Sequence, residues 1–303
     1  MERARIAAIV VTYNRLPLLL ECIKALKQQT VSGFDILVID NASTDGTREW
    51  LQDDIEQRRI LYWNTGKNLG GAGGFNFGIR QAYEMDYDYF WLMDDDTIPT
   101  PTALEKLLDA KNEVHDIFGF LSSYAKWVDG SVCEMNVPLK VKRSDNYTGY
   151  SSDVIVPIKR ATFVSFFVSR DIVKRVGLPI KEFFIWADDT NYCLRISAIA
   201  QGYWITNSCV VHKMVSNSDT NLVYDNGDRL ERYVYAYRNR FYNARMEHRL
   251  GQFFSHVLKR TGRILLSSKD RKILRIKYML KGVWQGVFFH PKIEFVEKEC
   301  SAE

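Results

Sequence analysis

Long hydrophobic runs are missing from this chain. Of its 303 residues, 46% are hydrophobic, yet no apolar stretch approaches the roughly 18–20 residues that a membrane-crossing helix needs. The short apolar run ending at Thr12-Tyr13-Asn14-Arg15 is expected to be a strand, not a secretory leader. Cysteine is scarce. The five residues Cys22, Cys133, Cys193, Cys209 and Cys300 are odd in number, scattered and without a C-x-x-C pair. That usage suits reduced thiols in a cytosolic protein better than a disulfide framework or a zinc site. The sequons at Asn41 and Asn146 are then coincidental. Two phosphate-binding fingerprints are also absent: G-x-G-x-x-G fails because Asn76 stands at its last position, and no G-x-x-x-x-G-K-[ST] occurs. There is no internal repeat and no low-complexity segment.

Acidic residues are missing from one part of the chain. Net charge is only +4, but Arg238 to Lys292 holds 14 Lys and Arg against Glu247 and Asp270, a local charge of +12. The remainder carries −8. An acidic body is joined to a basic, aromatic C-terminal region. With 26% charged residues, the composition is that of a globular chain with ample core.

The first hundred residues alternate strand and helix patterns. Ile6–Thr12 reads as a strand buried on both faces, and Phe34–Asp40, Ile60–Trp63 and Tyr89–Met93 as further strands. Between them, helices are expected after Pro17, over Thr47–Leu51 and over Phe75–Glu84, and another opens at Thr100-Pro101. This β-α order implies an α/β fold with a mostly parallel central sheet flanked by helices. Further strands are expected at Phe118–Ser122, Asp153–Pro157, Thr162–Ser169 and Tyr203–Thr206, and helices at Asp171–Val176 and Ala187–Ala200. From about Asp228 the pattern is helical, which suggests a catalytic domain over 1–220 and a basic helical region over 221–303.

Ligands of open α/β sheets bind beyond the carboxyl ends of the strands. Three polar clusters fall there: Thr12-Tyr13-Asn14-Arg15, Asp40-Asn41 and Asp94-Asp95-Asp96. Three consecutive carboxylates repel one another unless a cation neutralises them. Hard divalent ions bridge carboxylates to phosphates, so Mn²⁺ or Mg²⁺ with a diphosphate is the expected partner. A solvated acidic loop is the alternative, disfavoured by the buried strand that precedes it. The segment Lys67-Asn68-Leu69-Gly70-Gly71-Ala72-Gly73-Gly74-Phe75 reads as a Gly-rich turn opening a helix, where backbone can approach a phosphate. Lys67, Asn68, Gly70 and Gly71 are thereby candidates for donor binding. Asp188-Asp189 opens a helix, where an acid is as often a cap. His212 stands alone after an apolar run. Both gain chemical meaning only beside the carboxylate cluster.

The motifs IVVTYNR, LVIDNASTDGT, NLGGAGGF and FWLMDDD, in this order over roughly residues 6–215, resemble the inverting family 2 glycosyltransferases of GT-A fold. More narrowly, NLGGAGGF, FIWADD, VVHK and YAYRNR resemble bacterial galactofuranosyltransferases and related rhamnosyltransferases. The resemblance implies that Asp94, Asp96 and His212 hold the metal and that Asp95 meets the ribose. It further implies that Thr12, Tyr13, Asp40 and Asn41, with Arg15, belong to the nucleotide pocket. Asp189 is implied as catalytic base, with Asp188 close behind. An acceptor hydroxyl needs such a carboxylate to take its proton, and a nucleoside-diphosphate leaving group needs a cation. The implied donor is UDP-galactofuranose, with dTDP-rhamnose as rival. A sugar-phosphate nucleotidyltransferase is the alternative from another class. The implied acceptor is a cell-surface or polyprenyl-diphosphate-linked glycan at the inner face of a bacterial plasma membrane. The basic aromatic region, with Trp284, Phe288 and Phe289, is expected to contact anionic lipid, and nucleic acid is not an expected partner.

Overall fold

The computed structural model describes residues 4–142, 147, 149–217, 221–225 and 227–297, so the expectations placed on Asn146 and Cys300 lie outside the described residues. The chain runs β1 (Ile6–Thr12), α1 (Leu16–Lys27), β2 (Asp35–Asp40), α2 (Thr47–Trp50), α3 (Gln52–Glu56), β3 (Leu61–Asn64), α4 (Gly70–Glu84), β4 (Tyr89–Asp94), β5 (Thr97–Pro99) and α5 (Ala103–Glu113). It continues through β6 (Phe120–Lys126), β7 (Leu139–Lys140), β8 (Ile155–Arg160), β9 (Phe166–Ser169), α6 (Arg170–Val176), α7 (Asp188–Ser197) and β10 (Gly202–His212). Helices α8 (Tyr233–Met246), α9 (Leu250–Ser267) and α10 (Lys272–Phe288) follow. The four described cysteines are free thiols.

Among the described residues the sheet has the order β3-β2-β1-β4-β9-β6-β10-β8-β7, with β5 paired to the end of β10. Strands β3, β2, β1 and β4 pair in parallel, as do β6 and β10. The crossover from β4 through α5 to β6 leaves a gap one strand wide, and β9 fills it antiparallel to both neighbours. The carboxyl ends of β1, β2, β3, β4, β6 and β10 therefore point to the same edge.

Period-2 alternation divides β1 between two cores. Ala8 and Val10 face Leu19, Ile23 and Leu107 of α1 and α5. Ala7, Ile9 and Val11 face Phe75 and Ile79 of α4, in a cluster shared with Ile172 and Tyr192. Both faces are covered, which is why all seven β1 residues are buried. Helices α8, α9 and α10 build a third cluster around Tyr237, Phe241, Phe253, Val257 and Met279. The chain then returns to the body. Leu178 N donates to Glu294 O (2.8 Å), the Glu294 carboxylate pairs with Arg80 (2.9 Å), and Tyr83 donates to Glu297 (2.7 Å).

Two local expectations are revised. Helix α4 starts at Gly70, so the Gly-rich segment is the first turns of a helix and not a loop before one. Tyr203–Thr206 is the beginning of an 11-residue strand, with an irregularity between Ile205 and Cys209, that runs unbroken to His212.

Candidate active site

The register of the parallel strands sets Val11 beside Asp94 and Thr12 beside Asp40. Asp95 turns back over the strand ends: its N–H donates to Val11 O (3.1 Å) and its carboxylate accepts from Thr12 Oγ1 (2.8 Å). Arg15, just past β1, pairs with Asp96 at 2.6 Å and with Asp95 at 3.4 Å. Strand β5 then pairs Thr97 with His212. That pairing, between residues more than a hundred positions apart, brings His212 Nε2 to 3.1 Å from Asp96 Oδ1. The other ring nitrogen, Nδ1, lies 2.8 Å from Asn136 Oδ1, which also accepts from the Cys133 thiol at 2.8 Å.

These contacts set the electrostatics. Burial raises Asp94 to about 7, with the Asp96 and Asp95 charges adding to it, and Asp95 to about 6. Burial would raise Asp96 too, but the His212 and Arg15 contacts outweigh it and hold this carboxyl below its ordinary value. Burial also opposes a charge on His212, yet Asp96 and Cys133, with the Asp94 charge, hold the ring up at about 10. A guanidinium and an imidazolium thus share the neutralisation of three carboxylates.

The donor set fits a divalent cation. Asp96 Oδ1 is buried and receives no hydrogen bond, because the His212 contact has ion-pair distance without hydrogen-bond alignment. The Asn136 amide oxygen fixes Nδ1 as the protonated nitrogen, so a neutral His212 presents the Nε2 lone pair beside Asp96, the usual outer-sphere arrangement of a histidine ligand. Asp96 and His212 are brought together. As the side chains stand, no three His, Cys, Asp or Glu among the described residues surround one point closely enough to hold an ion, so Asp94 is not yet joined to that pair.

A second acidic group comes from the loop before α7. Phe184, Trp186 and Ala187 all have φ between +63° and +66°, a conformation that non-glycine residues adopt only when their surroundings impose it. Here α8 imposes it. The buried Asn239 Nδ2 lies within hydrogen-bond distance of Phe183 O (2.9 Å), Ile185 O (3.1 Å) and Trp186 O (2.8 Å), and Asn243 Nδ2 donates to Ala187 O (3.0 Å). The loop presents Asp188 and Asp189 at the first turn of α7. Burial, then Asp189 and the Asp94 charge, push Asp188 well up. Burial raises Asp189 to about 6 against hydrogen bonds from Thr190 and the charges of Arg160 and Arg240.

Residues 7–132 match the model of glycosyl transferase family 2. That stretch, less than half of the chain, carries the family 2 glycosyltransferase domain. Across 207 residues it is 26% identical to galactofuranosyltransferase GlfT1 of Mycolicibacterium smegmatis, an alignment covering 63% of this chain and 65% of that protein. Across 118 residues it is 32% identical to an undecaprenyl-phosphate mannosyltransferase of Micrococcus luteus, covering 38% and 47%. The chain thus spans less than two thirds of the length of these relatives. Among solved structures, S. aureus TarS 1–349 superposes with a TM-score of 0.56 at 14% identity, covering 94% of this chain and 72% of that one. GalNAc-T7 with UDP, GalNAc and Mn²⁺ superposes at 0.62 and 10% identity, covering 80% and 48%. These likenesses show the GT-A fold.

The family 2 match contains Thr12, Arg15, Asp40, Asn41 and Asp94 to Asp96, and ends before Asp188, Asp189 and His212. Within it, Asp40 accepts from Ser43 N (2.8 Å) and from the Tyr62 hydroxyl, and Asn41 Nδ2 donates to Gly70 O (3.1 Å), tying β2 to the start of α4. Tyr13 stands exposed at the rim. Lys67 is exposed, and Asn68 Oδ1 accepts from Gly70 N (2.8 Å), so Asn68 shapes the helix start. Most of the α4 glycines serve packing: a Cβ on Gly74 would lie 2.5 Å from Val11 Cγ1, and one on Gly70 only 2.1 Å from Phe184 O. Gly71 alone in this group faces open space. Reading the sequence missed Asn136, Cys133, Asn239 and Asn243. The signal available for the last two is an asparagine pair at i and i+4 within an aromatic helix. Arg238 packs over Phe289 and donates to Phe183 O (3.2 Å), and burial lowers it to about 10.

Proposed function

We propose that the chain transfers a sugar, galactofuranose from UDP-galactofuranose, to a hydroxyl of a cell-surface or lipid-linked glycan by single displacement with inversion. What carries the reading is the convergence of two acid clusters: Asn41, at the end of β2, donates to Gly70 O (3.1 Å) and Ala72 N donates to Phe184 O (3.2 Å), so the loop before the α7 carboxyl pair is tied through the start of α4 to the strand ends. Asp189, held near 6 and flanked by Arg160 and Arg240, is ionised at neutral pH and basic enough to take the acceptor proton. Asp188 keeps its proton longer, since two adjacent buried carboxyls do not ionise together. Thr12 and Arg15 orient Asp95 and Asp96 at the strand ends. Asp96 and His212, with Asp94 turned toward them, would hold Mn²⁺ or Mg²⁺, which when bound offsets negative charge on the departing diphosphate. Support for the donor comes from GlfT1, named a galactofuranosyltransferase, and from TarS, solved with UDP and with UDP-GlcNAc. The mannosyltransferase relative, named for undecaprenyl phosphate, supports a lipid-borne acceptor; with such an acceptor the chain would work at the inner face of the plasma membrane.

The test is UDP release from UDP-galactofuranose with a lipid-linked glycan acceptor, with Mn²⁺, with EDTA, and with Mn²⁺ restored. Acceptor-dependent release that EDTA abolishes and Mn²⁺ restores is expected. Unchanged turnover in EDTA removes the metal from the reading, turnover of dTDP-rhamnose alone replaces the donor, and pyrophosphate release moves the chain to a different reaction class.

A further inference from the structure

We propose that the outer faces of α9 and α10 form a docking surface for an anionic lipid bilayer. Each helix buries one stripe against Tyr237 and Phe241 of α8: Phe253, Val257 and Ile264 on α9, Met279 on α10. Each helix carries a second apolar stripe, about a quarter-turn round from the buried one on α9 and nearly opposite it on α10. Phe254, Leu258 and Leu265 recur at i, i+4 and i+11 on α9, and Ile273, Leu280, Trp284 and Val287 at i, i+7, i+11 and i+14 on α10, spacings that keep each set on one helical face. Leu266 and Phe288 flank them. Leu266 is 86% exposed, Ile273 84%, Leu258 74%, and Trp284 and Phe288 66% each. Isolated exposed apolar residues are ordinary on a soluble surface, but two adjoining helices that each turn such a stripe to solvent are not.

Charge selects the occupant. Neither helix contains an acid, and the exposed cations Lys259, Arg263, Lys277 and Lys281 lie on the same two helices as the stripes. Asp270, in the link between the helices, is bonded to Arg275. A second copy would set cation against cation. A polynucleotide would satisfy the cations but leave the leucines and Ile273 wet. An anionic bilayer supplies negative headgroups and hydrocarbon together, with Trp284 and Phe288, packed edge-to-face at 5.1 Å, suited to headgroup depth. No described helix is long and apolar enough to cross a membrane, so the contact is lateral. Helix α8 offers Asn239 and Asn243 to the Asp188–Asp189 loop and Tyr237 and Phe241 to α9 and α10. A bilayer on this face would thus lie about one helix diameter, roughly 10 Å, beyond the helix that holds the loop.

The test is co-sedimentation of the full chain with vesicles of phosphatidylcholine alone and of phosphatidylcholine with phosphatidylglycerol, read without donor or acceptor so that it stands apart from the transferase reading. Binding is expected on the anionic vesicles, weakened by salt. It should fall about tenfold or more in Trp284→Ser/Phe288→Ser and in Lys277→Glu/Lys281→Glu, with melting temperatures unchanged because all four side chains are exposed. Equal binding to both vesicle types, no binding at low salt, or binding indifferent to both double variants overturns the proposal. So does a dimer in solution that Trp284→Ser/Phe288→Ser dissociates, which would assign the face to a second copy.

Discussion

Replacing Asp189 with asparagine separates the chemistry of the acid pair from its stability cost. The residue is half-buried, and desolvation raises its carboxyl from an ordinary 3.8 to about 6. As pH rises past 3.8 the unfolded chain releases this proton, while the folded chain keeps it until about 6. Wild-type stability therefore falls across that window and stays lower above it. The shift corresponds to about 3 kcal/mol at pH 8 and about 1 kcal/mol at pH 4.5. Asparagine keeps the shape and an oxygen for Thr190 N, and removes the charge. With an unfolding entropy of about 2.1 cal/mol/K per residue, Asp189→Asn should melt roughly 5 °C higher than wild type at pH 8 and about 2 °C higher at pH 4.5. The same variant should lose transfer, and wild-type turnover should fall as pH drops through about 6, where the base takes up its proton. Thermal denaturation at the two pH values, run beside a UDP-release assay, checks both. A melting difference that is the same at both pH values would refute the desolvation argument. Near-normal turnover of Asp189→Asn would refute the base.

Asn239→Ala removes the amide that serves three loop carbonyls and should lower stability by about 2–4 kcal/mol, with turnover falling about a hundredfold in protein still folded at assay temperature. Stopped turnover with an unchanged melting point would instead mean that Asn239 contacts substrate. Gly74→Ala tests the tight approach of α4 to β1. Helix propensity alone favours alanine by about 1 kcal/mol, but its Cβ meets Val11 at 2.5 Å, so a net loss of about 1–2 kcal/mol and relief by a second Val11→Ala change are expected in thermal melts. A higher melting temperature for the single variant would show that the helix has room there.

Thr12, Asp40 and the three consecutive aspartates were legible because uninterrupted apolar runs declare strands, and a polar residue closing such a run has to lie at an end of the sheet. Glycine misled the reading of α4. Its low helix propensity suggests a turn, yet here close packing on Val11, Ile9 and Ile39 outweighs propensity, and the absent side chains are what let the helix approach. His212 shows the opposite limit. Its meaning depends on β5, a three-residue strand too short to leave a pattern, whose pairing with β10 is a long-range fact.

Asn239 was illegible for a deeper reason. In a helix, a polar residue among aromatics reads as the solvent side, and nothing local distinguishes it from one buried against another segment's carbonyls. The three positive φ angles at Phe184, Trp186 and Ala187 are unfavourable by about 1–3 kcal/mol each. Such a loop persists only if bonded from outside, and apart from Ala72 N, which donates to Phe184 O (3.2 Å), the outside donors come from beyond residue 220. The acid pair is therefore set by the C-terminal helices, and a chain cut at residue 220 would retain Asp189 in sequence while losing the asparagines that hold its loop in place.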